Sequence, residues 1–178
     1  MPAQAAERRQ KGGSVRTRFF VLAAALLMPA APAAAQDATG EWLVADATAR
    51  IRIVNCGSAL WGVVSWEKTP GGRDVKNPDA AKRERPTLGM PVLLDMRPAD
   101  GGRWKGKVYN AKDGKIYDST LALRGPSTLR VEGCVLGFLC GGENWTRAGA
   151  TNAVQGAPAP SPQAICASVG AATTGRAH

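Results

Sequence analysis

A cadence narrows the fold of this chain more than any single residue does. From Gly40 to Arg147, short apolar runs alternate with glycine-containing turns. Ala49-Arg50-Ile51-Arg52-Ile53-Val54 alternates apolar and polar side chains up to Ile53. That period of two belongs to a strand with one buried face. Further runs occupy 59–66, 91–96, 103–109, 116–123, 128–133, 135–139 and 143–147. Asn55-Cys56-Gly57, Asp100-Gly101-Gly102, Lys112-Asp113-Gly114, Gly125-Pro126-Ser127 and Gly141-Gly142 separate them, and Asp-Gly pairs between alternating runs favour tight hairpins. About eight to nine short strands at this spacing predict an all-β antiparallel barrel or sandwich. One stretch breaks the pattern. Residues 77–85 read as a short helix, with Asn77 as cap, Pro78 at the first helical position, Asp79 on the positive end of the dipole and Pro86 stopping it.

The flanks have different characters. Arg8, Arg9, Lys11, Arg16 and Arg18 precede the apolar run 19–28, and Ala33-Ala34-Ala35 follows. A basic segment, a short apolar segment and an A-x-A pattern predict a signal peptide over 1–35, cleaved near Ala35, and a periplasmic or secreted product. The run is too short to span a membrane, which takes about 20 residues, so no transmembrane span is expected in the mature chain. Cleavage removes five of 23 basic residues and one of 14 acidic ones, leaving a net charge of +5 in place of +9. Basic and acidic residues then intermingle without a block, which argues for a solvated surface and against a nucleic-acid partner. Residues 36–148 form the expected domain. Residues 149–178, rich in Ala, Gly, Pro, Ser and Thr, read as a flexible tail.

Four cysteines, Cys56, Cys134, Cys140 and Cys166, in a chain bound for an oxidising compartment predict disulfides and allow three connectivities. The close pair Cys134 and Cys140, next to glycines, is the first choice. Cys56 with Cys166 follows by elimination. No metal site is expected: C-x-x-C spacing is absent and the sole histidine is His178.

Three stretches carry a family resemblance: Gly40-Glu41-Trp42 with 51–57; Asp74-Val75-Lys76-Asn77-Pro78-Asp79 with Arg83, Arg85-Pro86 and Gly89; and Trp104-x-Gly106-x-x-Tyr109, Asp113-Gly114-Lys115-x-Tyr117, Val131-Glu132-Gly133-Cys134 and Trp145-Thr146-Arg147. Together they resemble the DUF2147 family of small exported bacterial proteins, over nearly all of 40–147. Asn77, Pro78, Asp79, Arg83 and Gly89 form the most specific part. The resemblance implies a lipocalin-like β-barrel and no known activity. Family members often have a second cysteine shortly after the one matching Cys56. Here that neighbourhood reads Ser58-Ala59-Leu60-Trp61-Gly62, which leaves the partner of Cys56 open. Gly40-x-Trp42 with Trp145 and Arg147 is similar to the lipocalin closing signature, in which a large ring plugs the barrel end and a guanidinium stacks on it.

Chemistry is sparse. With a single histidine at the last position, Ser-His-Asp and Cys-His catalysis lack their base. Ser65-Trp66-Glu67-Lys68 matches S-x-x-K, but the serine ends a strand and the S-D-N and K-T-G partners are missing. Asp74 and Asp79 with Arg83 and Arg85 fit either a polar recognition site or a capped helix with paired charges. No cofactor is implied. The expected function is non-enzymatic binding of a small apolar or amphiphilic molecule, with Trp61, Trp66, Arg85, Trp104, Tyr109 and Tyr117 as candidate ligand contacts. The alternatives are an envelope interaction or stress-protective protein acting through its surface, and an enzyme using carboxylates and arginines near 74–85. Oligomeric state is not legible.

Overall fold

A computed structural model describes residues 37–149 and 160–170. Eight strands, β1 (Gly40–Leu43), β2 (Ala49–Cys56), β3 (Ala59–Glu67), β4 (Pro91–Ala99), β5 (Arg103–Asn110), β6 (Lys115–Leu123), β7 (Thr128–Val135) and β8 (Leu139–Arg147), pair antiparallel in sequence order. Trp42 opposite Arg147 and Leu43 opposite Thr146 close β1 onto β8, so the sheet is a complete barrel. Closure leaves no unpaired edge, which suits a chain of many short strands.

One part of the expected strand pattern is corrected. Residues 135–139 are not a strand, and Gly141-Gly142 is not a turn. The chain reverses at Leu136 and Gly137, both left-handed (φ 54° and 77°), and β8 runs unbroken from Leu139. Cys134 lies directly opposite Cys140 in the ladder and is bonded to it, so pairing continues through the glycines. Gly142 leaves no room for a Cβ against the Val131 carbonyl.

Strands that follow one another around a barrel put alternate turns at opposite ends. At one end, Trp42, Leu93, Met96, Leu121 and Leu129 pack with almost no exposure. The Trp42 Nε1 donates to the Ala38 carbonyl at 2.8 Å. The Arg147 guanidinium lies 4.1 Å from the Trp42 ring centroid and donates to the carbonyls of Pro126, Thr39 and Asp37 at 2.7, 2.8 and 2.7 Å. Gly40 has φ 110°, and a Cβ there would sit 3.1 Å from Arg147 Nη1. Glycine is therefore what lets the guanidinium reach the carbonyls of the incoming chain. Trp145 does not belong to this closure. It lies two residues up β8, facing the interior.

The helix expected over 77–85 reduces to one 3-10 turn, Ala80–Lys82, capped by Asp79 rather than Asn77. Asn77 is withdrawn from capping because its side chain is buried in a hydrogen-bond network. The expected flexible tail is also corrected over 160–170. There, α1 (Pro162–Ser168) begins at a Ser161 cap and a proline in its first turn. Ile165 and Cys166 bury themselves against Val54, Cys56 and Val63 on the outer face of β2 and β3. The Cys56–Cys166 disulfide fixes the helix there, and Arg52 donates to the Pro160 carbonyl at 2.9 Å. Composition understated this segment because one cross-link and one isoleucine suffice to dock two helical turns. The expected signal peptide and the rest of the tail lie outside the described residues.

Candidate functional site

Opposite the Trp42 plug, the barrel opens into a cavity of about 630 Å³. Inward-facing Ile51, Val64, Val92, Val131 and Trp145 give it apolar walls and floor, and Asp46, Lys112, Tyr117 and Glu143 make its rim polar. Trp145 Nε1 donates to Glu143 Oε1 at 2.5 Å, so the floor ring keeps its polar edge satisfied. Lys112 Nζ meets Asp46 Oδ2 at 3.0 Å. Their turns, β5–β6 and β1–β2, stand opposite each other in the strand order, so this ion pair bridges the mouth. Hydrogen bonds from Thr48, then Lys112, hold the Asp46 carboxyl at about 2.

The long β3–β4 connection is fastened beside the mouth by a buried carboxylate. Asp74 has no exposed surface. Its Oδ1 accepts from the Tyr109 hydroxyl at 2.5 Å. Its Oδ2 accepts from Asn77 Nδ2 at 2.7 Å, Arg85 Nε at 2.9 Å and Arg85 Nη2 at 2.7 Å. Burial pushes the Asp74 carboxyl up, but the bonds from Tyr109, Asn77 and Arg85 outweigh it and hold the group below the ordinary carboxylate value. Burial, and then the bond to Asp74, raise the Tyr109 hydroxyl. Arg85 also stacks 5.6 Å from the Tyr109 ring centroid. The family stretch is thus a latch. Arg83 Nε donates to the Asn77 carbonyl at 2.9 Å, and Gly89 N–H donates to Val64 O at 2.7 Å. The β5–β6 turn seals against it: Gly114 (φ 74°) packs so tightly on the Lys76 carbonyl that a Cβ would collide. Asp113 accepts from Lys115 N at 3.0 Å and from the Tyr117 hydroxyl, which lowers the carboxyl and raises the phenol.

The candidate ligand residues divide. Tyr109 and Tyr117 line the cavity. Trp61, Arg85 and the other side of Tyr109 line a second hollow of about 460 Å³ outside the barrel, bordered by Pro78, Leu94 and Val169 of the helical segment. Trp66 and Trp104 line neither. Trp104 packs against the core, and Trp66 lies under the Arg50 guanidinium at 5.3 Å. Trp61 faces outward because the odd-numbered positions 61 and 63 of β3 point away from the lumen, toward α1. Asp79 borders the same outer hollow as Arg85, and Arg83 lines neither hollow. Asp79 pairs with Lys82 at the surface, while Arg83 holds backbone. Trp145, Glu143 and Lys112 are cavity residues missing from the candidate set. Spacing could have found the first two, since positions 143 and 145 share one face of a strand.

A closed eight-stranded antiparallel barrel, plugged by a Trp–Arg stack at one end and hollow at the other, defines a lipocalin-like barrel. The chain belongs to the DUF2147 family, described as uncharacterized proteins conserved in bacteria, whose profile matches residues 40–147. Among solved structures it is similar to protein HP1028 from the human pathogen Helicobacter pylori, which belongs to the lipocalin family. The TM-score is 0.54 at 20% identity, over 58% of this chain and 74% of that one. At that identity the likeness speaks for the fold alone. No curated protein matches the chain. Among the described residues, no helix is long and apolar enough to cross a membrane.

Proposed function

We propose that this protein is a non-enzymatic carrier or sensor of a small amphiphilic molecule, held tail-down in the barrel and working in the periplasm or outside the cell. The observation that carries this reading is the cavity of about 630 Å³ with an apolar floor and a charged rim. Such a shape matches an apolar tail inside and a polar head between Lys112, Tyr117 and Glu143. The two disulfides support an oxidising compartment. Two features weigh against an enzyme: Asp74 is consumed by four internal bonds, and Asp79, Arg83 and Arg85 point to different partners.

Native mass spectrometry of protein expressed with its leader tests this reading. An adduct of a few hundred daltons is expected, displaced by organic solvent. Val131→Phe places a ring in the cavity and should abolish the adduct while the disulfides remain intact. Repeated absence of any adduct, together with no quenching of Trp145 by long-chain amphiphiles, would sink the proposal.

A further inference from the structure

The distribution of exposed apolar side chains is one-sided. Seven large hydrophobics of the described residues are between 46% and 79% exposed, and all seven sit at the open end of the barrel. Val75 and Leu88 belong to the β3–β4 connection and Ile116 starts β6. Val135, Leu136, Phe138 and Leu139 form the β7–β8 tip. The plugged end and the outer barrel wall carry none among the described residues. Scattered exposed leucines are ordinary, but seven gathered at one pole are not.

The β7–β8 tip is the most developed part. Cys134-Val135-Leu136-Gly137-Phe138-Leu139-Cys140 holds no charged residue, and the Cys134–Cys140 bond closes it. Leu136, at 79% exposure, is held left-handed, a conformation that costs a leucine roughly 1 kcal/mol and gains it no packing. Around the tip, segments 44–48, 67–90 and 110–115 hold eight basic and six acidic side chains. Asp74 and Asp46 among the acids are already paired with Arg85 and Lys112.

We propose that the open end docks on an anionic lipid bilayer, with Leu136 and Phe138 entering the interface and the lysines of the neighbouring loops facing the headgroups. Four observations choose this occupant. The apolar groups stand on three separate loops, and a bilayer accepts single side chains without shape complementarity. A protein partner would need about 1,000 Å² of fitted surface, more than a five-residue tip presents. The surplus of cations complements anionic headgroups. The cavity opens between these same loops, with Val135 and Leu139 on its wall, so a docked barrel would face its mouth to the membrane.

Co-sedimentation of the purified, oxidised chain, freed of its leader, with vesicles tests the proposal. Vesicles of equimolar phosphatidylglycerol and phosphatidylcholine should pellet the protein, and pure phosphatidylcholine should pellet clearly less. Leu136→Ser/Phe138→Ser removes two side chains that are 79% and 69% exposed and should weaken partition about tenfold or more. Circular dichroism and a non-reducing peptide map check that this variant keeps the barrel and both bonds. Failure of the wild type to pellet with anionic vesicles, or equal pelleting by the variant, overturns the docking. Concentration-dependent self-association in the ultracentrifuge, lost in the same variant, overturns it by assigning the tip to a second copy. Cavity loading is read separately by mass spectrometry. Vesicle binding without a cavity ligand removes only the carrier reading, and the reverse removes only the docking.

Discussion

Replacing Asp74 by asparagine should destabilise the protein by about 3 kcal/mol at pH 7, and the size of that loss should depend on pH. The carboxylate accepts four hydrogen bonds, three on Oδ2 and one on Oδ1. Bonds to a charged acceptor contribute roughly 1.5–3 kcal/mol each, against about 0.5–1.5 for neutral pairs. Asparagine can aim its one carbonyl oxygen at Asn77 and Arg85 and keep three contacts, each weakened by about 1 kcal/mol. Its NH2 then faces Tyr109, whose hydroxyl must turn to accept. Asp74→Ala strips the Tyr109 hydroxyl of its acceptor, leaves the Asn77 amide only its 3.2 Å bond to Tyr109 and abandons Arg85, and should cost about 3–5 kcal/mol. Urea unfolding of the oxidised proteins measures both. The sign with pH follows from a folded-state carboxyl held below its ordinary value. Its stabilisation is complete above the unfolded value of about 3.9 and is lost as pH falls through the lower folded value. The gap between wild type and Asp74→Asn should therefore hold from pH 7 to pH 5 and narrow below about pH 4. The lowered Asp46 and Asp113 are common to both proteins and cancel in the difference. A loss under about 1 kcal/mol at pH 7, or a gap that widens in acid, would refute the latch.

Two further outcomes follow from the ends of the barrel and its cross-links. Arg147→Lys should cost about 2–3 kcal/mol, because an ammonium keeps the charge but loses the planar stack on Trp42 and two of three carbonyl contacts. A urea midpoint and the near-ultraviolet signal of Trp42 report it, and an unchanged midpoint would remove the guanidinium from the closure. Loss of the Cys56–Cys166 bond by paired serine substitutions opens a loop of 110 residues, with a chain-entropy ceiling near 5 kcal/mol. The bond spanning six residues at the tip has a ceiling of about 2. Amide exchange should show α1 released first while the barrel stays protected, since eight paired strands close without it. Equal loss of protection in α1 and the strands would contradict that independence.

The strand cadence was legible because alternation is local: the runs beginning at Ala49 and Arg103 each declare a buried face, while the mostly apolar runs at Ala59 and Pro91 announce a strand without saying which face is inside. Barrel closure was legible through Gly40, Trp42 and Arg147, residues whose chemistry has few other uses at strand ends. The pairing of Cys56 with Cys166 could be reached only by elimination, because nothing near either residue encodes a contact 110 positions away. The strand falsely read at 135–139 shows the limit of composition, since an apolar run scores as a strand until a left-handed leucine turns it outward. Asn77 is drawn out of capping by the Asp74 carboxylate three residues earlier, and Asp79 caps the turn in its place. Trp61, read as a lumen residue, faces outward by the parity of β3, and Trp145 faces inward by the parity of β8. Sequence by itself determined an antiparallel barrel or sandwich of short strands, because periodicity and turn chemistry act within a few residues, and the resemblance at Gly40, Trp42 and Arg147 implied the plugged barrel. Only the tertiary structure decided which aromatics see the cavity, that Asp74 is spent on a latch, and that the exposed apolar groups share one pole. Each of these depends on how eight strands are phased around a closed ring.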